Sequence, residues 1–96
     1  MNLTLIGSNR SGRIVIAGRI TEEFSAQLEA GVVDAMRRYP RLTVDLSGVA
    51  EIDHFGVRFL KLMQNLGGKE LAIVATSPAV EQATDANAAH HARRLH

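Results

Sequence analysis

Three observations in the sequence predict a small α/β domain built on a mixed sheet. Strand-like patterns at residues 2–7 and 13–17 are separated only by a turn cluster, which makes an antiparallel hairpin. Two more strand patterns, at residues 42–46 and 71–75, are each reached through a helical one, so they join the sheet by right-handed crossovers with a parallel portion. Each helical pattern opens on a capping residue, and the first two close at Pro40 and at Gly67-Gly68. The expected order is β-β-α-β-α-β-α, with a sheet of four strands or slightly more and the helices packed on it.

In the first strand Leu3 and Leu5 alternate with Asn2, Thr4 and Ile6, as an edge strand with one covered face would. Residues 8–12, Ser-Asn-Arg-Ser-Gly, form the turn. Ile14-Val15-Ile16-Ala17 is apolar at every position, so the second strand is expected in the centre with both faces covered, ending at Gly18. Thr21 is the expected N-cap of the first helix, with Glu22 and Glu23 in its first turn and Arg37 and Arg38 in its last, where the helix dipole favours them. Phe24, Leu28, Val32, Ala35, Met36 and Tyr39 share its apolar face.

The third strand carries Leu42, Val44 and Leu46 on one face and Thr43 and Asp45 on the other, and Ser47-Gly48 is expected to break it. The second helix is expected from about His54 to Leu66, capped by Asp53. Phe55, Phe59, Leu60, Leu62, Met63 and Leu66 form its apolar side, opposite Val57, Arg58, Lys61, Gln64 and Asn65. Leu71-Ala72-Ile73-Val74-Ala75 reads as a strand buried on both faces. Ser77-Pro78 opens a third helix rich in alanine and poor in large apolar groups. One domain is expected over residues 1–90, with 91–96 a frayed tail.

Composition narrows the function. The chain has 96 residues, enough for one modest core, and a formal net charge of +1, which is no footprint for nucleic acid. No apolar run reaches the length of a membrane span and no signal peptide is evident, so no membrane insertion and a cytoplasmic location are expected. There is no cysteine, hence no thiol nucleophile or thiolate metal site. His90 and His91 are adjacent and would point apart on a helix, so no metal site is expected, with His96 in the tail. A Gly-rich phosphate cradle needs a strand-loop-helix order, whereas Gly67-Gly68 precedes a strand. A phospho-accepting receiver domain would need an acidic pair after the second strand, where Gly18-Arg19-Ile20 stands. No nucleophile, base and orienting group can be assembled, so no enzyme and no cofactor are expected.

The stretch from residue 41 to 56 organises the rest. Thr43-Val44-Asp45-Leu46-Ser47-Gly48-Val49, followed by Ile52-Asp53-His54-Phe55-Gly56-Val57, resembles the signature of STAS domains, the family of bacterial anti-sigma factor antagonists. Gly18, the Gly67-Gly68-Lys69 link and Ser77-Pro78-Ala79-Val80 fit the same pattern, so the resemblance extends from about Leu3 to Thr84. It implies a protein-interaction module that binds a kinase-like anti-sigma factor or other regulatory partner through the 47–58 turn and the exposed face of the second helix. Family members that act by partner switching carry a phosphorylatable Ser or Thr where this chain has Phe55, with His54 at the preceding Ser position. Phosphorylation at that position is therefore not expected here. Thr21 also replaces a commonly acidic residue after the second strand.

The expected partner surface comprises Ser47, Asp53, His54, Phe55, Gly56, Val57, Arg58 and Lys61. Asp53 is expected to cap the helix in addition, and His54 to sit exposed at the helix start, where the dipole disfavours its cation. Val57 is expected as an apolar spot on a polar face. An alternative from another class is an accessory subunit of a lipid-transport ABC complex, docked on the transporter's ATPase. Partner identity and oligomeric state are not legible in the residues.

Overall fold

The hairpin and the two crossovers assemble one four-stranded sheet in the order β1-β2-β3-β4. In the computed structural model, which describes residues 1–67 and 70–84, the elements are β1 (Asn2–Ser8), β2 (Ser11–Ile20), α1 (Ser25–Arg38), β3 (Arg41–Ile52), α2 (His54–Gly67) and β4 (Leu71–Thr76), followed by α3 over residues 78–84. β1 pairs antiparallel to β2, whereas β2–β3 and β3–β4 are parallel. The expected mixed α/β architecture is therefore present. The tail at 91–96, the later part of the third helical pattern and the histidines at 90, 91 and 96 lie outside the described residues.

The turn between β1 and β2 is tighter than the five-residue cluster expected from composition. Ser8 pairs with Ser11, leaving Asn9-Arg10 as the loop, and Asn9 takes the positive φ of 55° that asparagine tolerates. β2 also does not end at Gly18. That residue lies within the strand at φ 89°, and pairing continues to Ile20.

The core lies between one face of the sheet and the helices. Ile14 and Ile16 of β2, Leu42, Val44 and Leu46 of β3, and Leu71 of β4 meet Leu28, Val32 and Ala35 of α1, Phe59, Leu60 and Met63 of α2, and Val80 of α3. Ile14, Ile16, Ile20, Leu28, Val44 and Leu46 are fully enclosed. At roughly 1.5–3 kcal/mol for each such side chain, this cluster is the main driving force for the fold. The opposite sheet face is open, contrary to the expectation for β2 and β4. Ile6 and Val74 are exposed, as are Thr4, Arg13 and Ala72, while Val15 and Ala17 are half-buried. An all-apolar strand here reflects β-propensity and cross-strand packing rather than two covered faces.

β3 is the largest departure from expectation. Ser47-Gly48 does not end it; the strand runs on beside β2 to Ile52. Two register shifts, between Val15 and Ala17 and between Gly18 and Arg19 on β2, place extra residues on the β3 side. Gly48 suits the closely approached stretch after the first shift, because a Cβ there would sit 3.0 Å from the Ala17 Cβ. β3 thereby outruns β4, whose pairing stops at Leu46–Thr76, and delivers Asp53 to the far end of β2.

Candidate partner-docking site

At that far end Asp53 joins three elements. Its N–H donates to the Ile20 carbonyl at 3.2 Å, and its own carbonyl accepts from the Val57 N–H at 3.0 Å. One carboxylate oxygen, Oδ1, accepts from the Gly56 N–H at 2.9 Å, satisfying a donor that the first turn of α2 would otherwise leave open. The other, Oδ2, accepts from the Glu22 N–H at 3.0 Å, in the short 3-10 turn Glu22–Phe24 that precedes α1. Burial raises the Asp53 pKa, but the Gly56 and Glu22 N–H groups, its own N–H and the adjacent His54 together hold the carboxyl below its ordinary value.

This second bond corrects the role expected of Thr21. Thr21 does precede the 3-10 turn, but it makes no side-chain cap; its hydroxyl turns to Glu23 Oε1 at 3.2 Å. The cap is supplied across the sheet by Asp53 instead. An exposed triad reinforces the junction: Arg19 reaches Glu51 on the neighbouring strand at 2.6 Å and Glu23 at 3.2 Å.

Gly56 is buried, and its contribution is steric. A Cβ at this position would lie 2.6 Å from the Ile20 carbonyl oxygen and collide with the Ile52 side chain. Glycine lets the first turn of α2 rest directly on the ends of β2 and β3, so Gly56 is a packing residue and offers no surface to a partner. Val57 is also inside, at 9% exposure, against the expectation that it stands on the polar face. Leu62, expected on the buried side, is 54% exposed. The inward side of α2 thus comprises Gly56, Val57, Phe59, Leu60 and Met63, with half-buried Phe55 and exposed Leu62 beside Phe59 at the edge of the helix.

That edge borders a groove of about 490 Å³ lined by Phe55, Phe59, Leu62, Arg58, Lys61 and Asn65 of α2 and by Glu29 of α1. The Phe55 and Phe59 rings stack with centroids 5.8 Å apart and an interplanar angle of 29°, forming its apolar floor. Arg58 and Lys61 are exposed and make no ion pair among the described residues. His54 is exposed at the helix start just outside the groove. Ser47 is exposed farther back along β3; its N–H and hydroxyl both donate to Asp45 Oδ1, at 2.9 and 2.6 Å, and it is not part of the groove lining. The Ser47 hydroxyl and N–H lower the Asp45 pKa against an opposing desolvation, with Arg13 nearby adding to the lowering.

The structure therefore gathers Phe55, Arg58 and Lys61 of the expected surface with Glu29, Phe59, Leu62 and Asn65, which were not among its expected residues. Spacing could have found three of these: Leu62 and Phe59 continue the series from Phe55 at four and then three residues, and Asn65 continues the one from Arg58 and Lys61. Glu29 needed the packing of α1. Among the described residues no cluster of His, Asp and Glu could hold a metal ion.

The family model described as "Mlab, STAS domain" matches residues 4–91. The chain belongs to the STAS domain family. No curated protein sequence matches it. An anti-sigma factor antagonist from Mycobacterium paratuberculosis is similar in structure, with a TM-score of 0.77 at 20% identity, over 95% of this chain and 80% of that one. The anti-sigma factor antagonist SpoIIAA in its unphosphorylated form gives a TM-score of 0.65 at 15% identity, over 91% of this chain and 81% of that one. At these identities the two structures show a shared fold. Within this STAS domain, hydrogen bonds tie the junction at Asp53 to β2, to the 3-10 turn and to α2, and beside it lies an apolar groove rimmed by Arg58, Lys61 and Glu29.

Proposed function

We propose that this STAS domain is a protein-docking module, similar in role to anti-sigma factor antagonists, that captures a regulatory partner at the start and outer edge of α2. The observation that carries the reading is the half-buried Phe55. It stands next to the clamped helix start, stacked on Phe59 and flanked by Arg58 and Lys61, which make no ion pair among the described residues. A rigid aromatic with cations beside it is the composition that concentrates binding energy at protein interfaces. His54 completes the tip, and Asp53 acts by holding the helix start rather than by touching the partner. The proposal is of binding, with no bond made or broken by the domain.

A kinase-like anti-sigma factor is the leading partner, bound without phosphorylation at the usual position. Phe55 has no hydroxyl, so a phosphate that would repel a docked partner cannot be added there. The same residue favours a second reading, an accessory subunit that docks constitutively on the ATPase of a lipid-transport ABC complex. Affinity purification from the native host with wild-type protein, Phe55→Ala and Phe55→Asp tests the site. Both variants should keep the wild-type circular dichroism spectrum; Phe55→Asp should lose the partner and Phe55→Ala should retain it weakly. Full capture by folded Phe55→Asp would overturn the docking reading. Mass spectrometry of the captured protein separates the two partner classes.

A further inference from the structure

The cations of α2 are not placed for helix stability. His54-Phe55-Gly56-Val57-Arg58-Phe59-Leu60-Lys61-Leu62-Met63-Gln64-Asn65-Leu66-Gly67 contains no acidic residue, and its first turn lacks the Asp or Glu that the positive helix end would favour. Instead Arg58 sits in the first half of the helix, closer to the unfavourable end, and Lys61 just past its middle, neither of them in the last turn where the dipole would favour a cation. They have no intrahelical acid three or four residues away to pair with. Of the six other described cations, three are paired, Arg19 with Glu23 and Glu51, Arg38 with Asp34, and Arg41 with Glu70, and Arg10, Arg13 and Arg37 are not. What sets Arg58 and Lys61 apart is their place: both line the groove with no ion pair among the described residues, and across it Glu29 supplies one negative rim on α1.

Resting on the docking reading above, we infer that the occupant of the α1–α2 groove is an acidic amphipathic helix of the partner. Its apolar residues would sit over Phe55, Phe59 and Leu62, and its carboxylates would lie along the flank facing Arg58 and Lys61. Three properties select this occupant. Phe55, Phe59 and Leu62 form a continuous apolar strip at i, i+4 and i+7 along α2, a surface on which the apolar face of an amphipathic helix can lie. Leu62 is 54% exposed on it, so an uncovered side chain awaits burial. Arg58 and Lys61 are one helical turn apart, matching carboxylates at i and i+3 or i+4 on a facing helix. The Glu29 rim disfavours acids on both flanks, so it fixes which way round such a helix lies.

The test uses the full chain, labelled with nitrogen-15, and two end-capped amphipathic peptides that share one leucine stripe. One carries glutamates on a single flank, and the other carries lysines at the same positions. The acidic peptide should shift the amides of residues 55–65 and of Glu29, and the lysine peptide should not. The double variant Arg58→Glu/Lys61→Glu should weaken acidic-peptide binding by roughly tenfold or more and gain affinity for the lysine peptide. Arg58→Gln/Lys61→Gln should fall between them, which guards against a folding defect in the reversed variant. Equal binding of both peptides to the wild type, shifts centred on another surface, or no shift at millimolar peptide would each overturn the inference. Native-partner capture that is lost in Phe55→Asp but unaffected by the double reversal would overturn it while leaving the docking reading intact.

Discussion

The two strand-to-helix junctions, Asp53 between β3 and α2 and Ser77 between β4 and α3, begin from the same local chemistry. In each, a side-chain oxygen at the N-cap accepts from the third residue of the helix: Asp53 Oδ1 from Gly56 at 2.9 Å, Ser77 Oγ from Val80 at 3.3 Å. Ser77 is 3% exposed and its hydroxyl serves one helix only, with Val80 packed beneath at 2%. Asp53 is partly exposed, is charged and serves two helix starts. The difference traces to strand length. β4 stops level with Leu46 of β3, whereas β3 continues through its irregular register with β2 and carries its cap beyond the covered part of the sheet. A short strand buries its junction; a long one displays it.

The sharpest way to break the displayed junction is to force a side chain onto Gly56. Gly56→Leu should cost about 3 kcal/mol in urea denaturation, because Ile20 and Ile52 occupy the space a side chain needs. An equivalent enlargement has no counterpart at Ser77, where the third helical residue is already Val80.

Next in size is the cap itself. Asp53→Ala should cost about 2 kcal/mol, the upper part of the range for an N-cap, since two helix starts lose their acceptor. Asp53→Asn should cost less, and its deficit should depend on pH. The Asp53 carboxyl is held below its ordinary value of 3.8, so the unfolded chain takes up that proton more readily than the folded one. Its stabilisation is complete at neutral pH and is lost as the pH falls below 3.8 and through the folded-state value. The gap in melting temperature between wild type and Asp53→Asn should therefore narrow over that acidic window.

The smallest of these effects sharpens the contrast. Ser77→Ala should cost about 1 kcal/mol, as a neutral cap serving one helix does. It should leave capture of the partner unchanged, since nothing at Ser77 faces the groove. A capture defect equal to that of Phe55→Asp would mean that the two junctions are not functionally distinct.

Much of this architecture was legible in the residues. Alternation in β1 and β3, the hairpin spacing and the caps at Asp53 and Ser77 lead to the element order and to the start of α2 at His54. Ser47-Gly48 misled because a serine-glycine pair is ordinarily a breaker, whereas here glycine allows close approach beside Ala17 and pairing continues. The roles of Val57 and Leu62 were exchanged for a related reason. A helical wheel assigns faces by composition, but the orientation of α2 is set at its first turn, where Gly56 lets the backbone settle on Ile20 and Ile52. The groove required α1 beside α2, a tertiary relation that spacing within α2 does not contain. The open sheet face was misjudged because Val15 and Val74 are as good in a half-exposed strand as in a buried one.

If the junction docks a partner as proposed above, the bond from Asp53 to Glu22 has a consequence for the speed of recognition. A helix start tied to both the sheet and the neighbouring 3-10 turn does not have to be ordered when a partner arrives. Association should then proceed as rigid docking, with a rate constant of roughly 10⁵–10⁷ M⁻¹s⁻¹ that Arg58 and Lys61 raise at low salt. Substitutions at Phe55 would appear almost wholly in the dissociation rate, so the lifetime of the complex, rather than the frequency of encounter, is the quantity this clamp leaves open to adjustment.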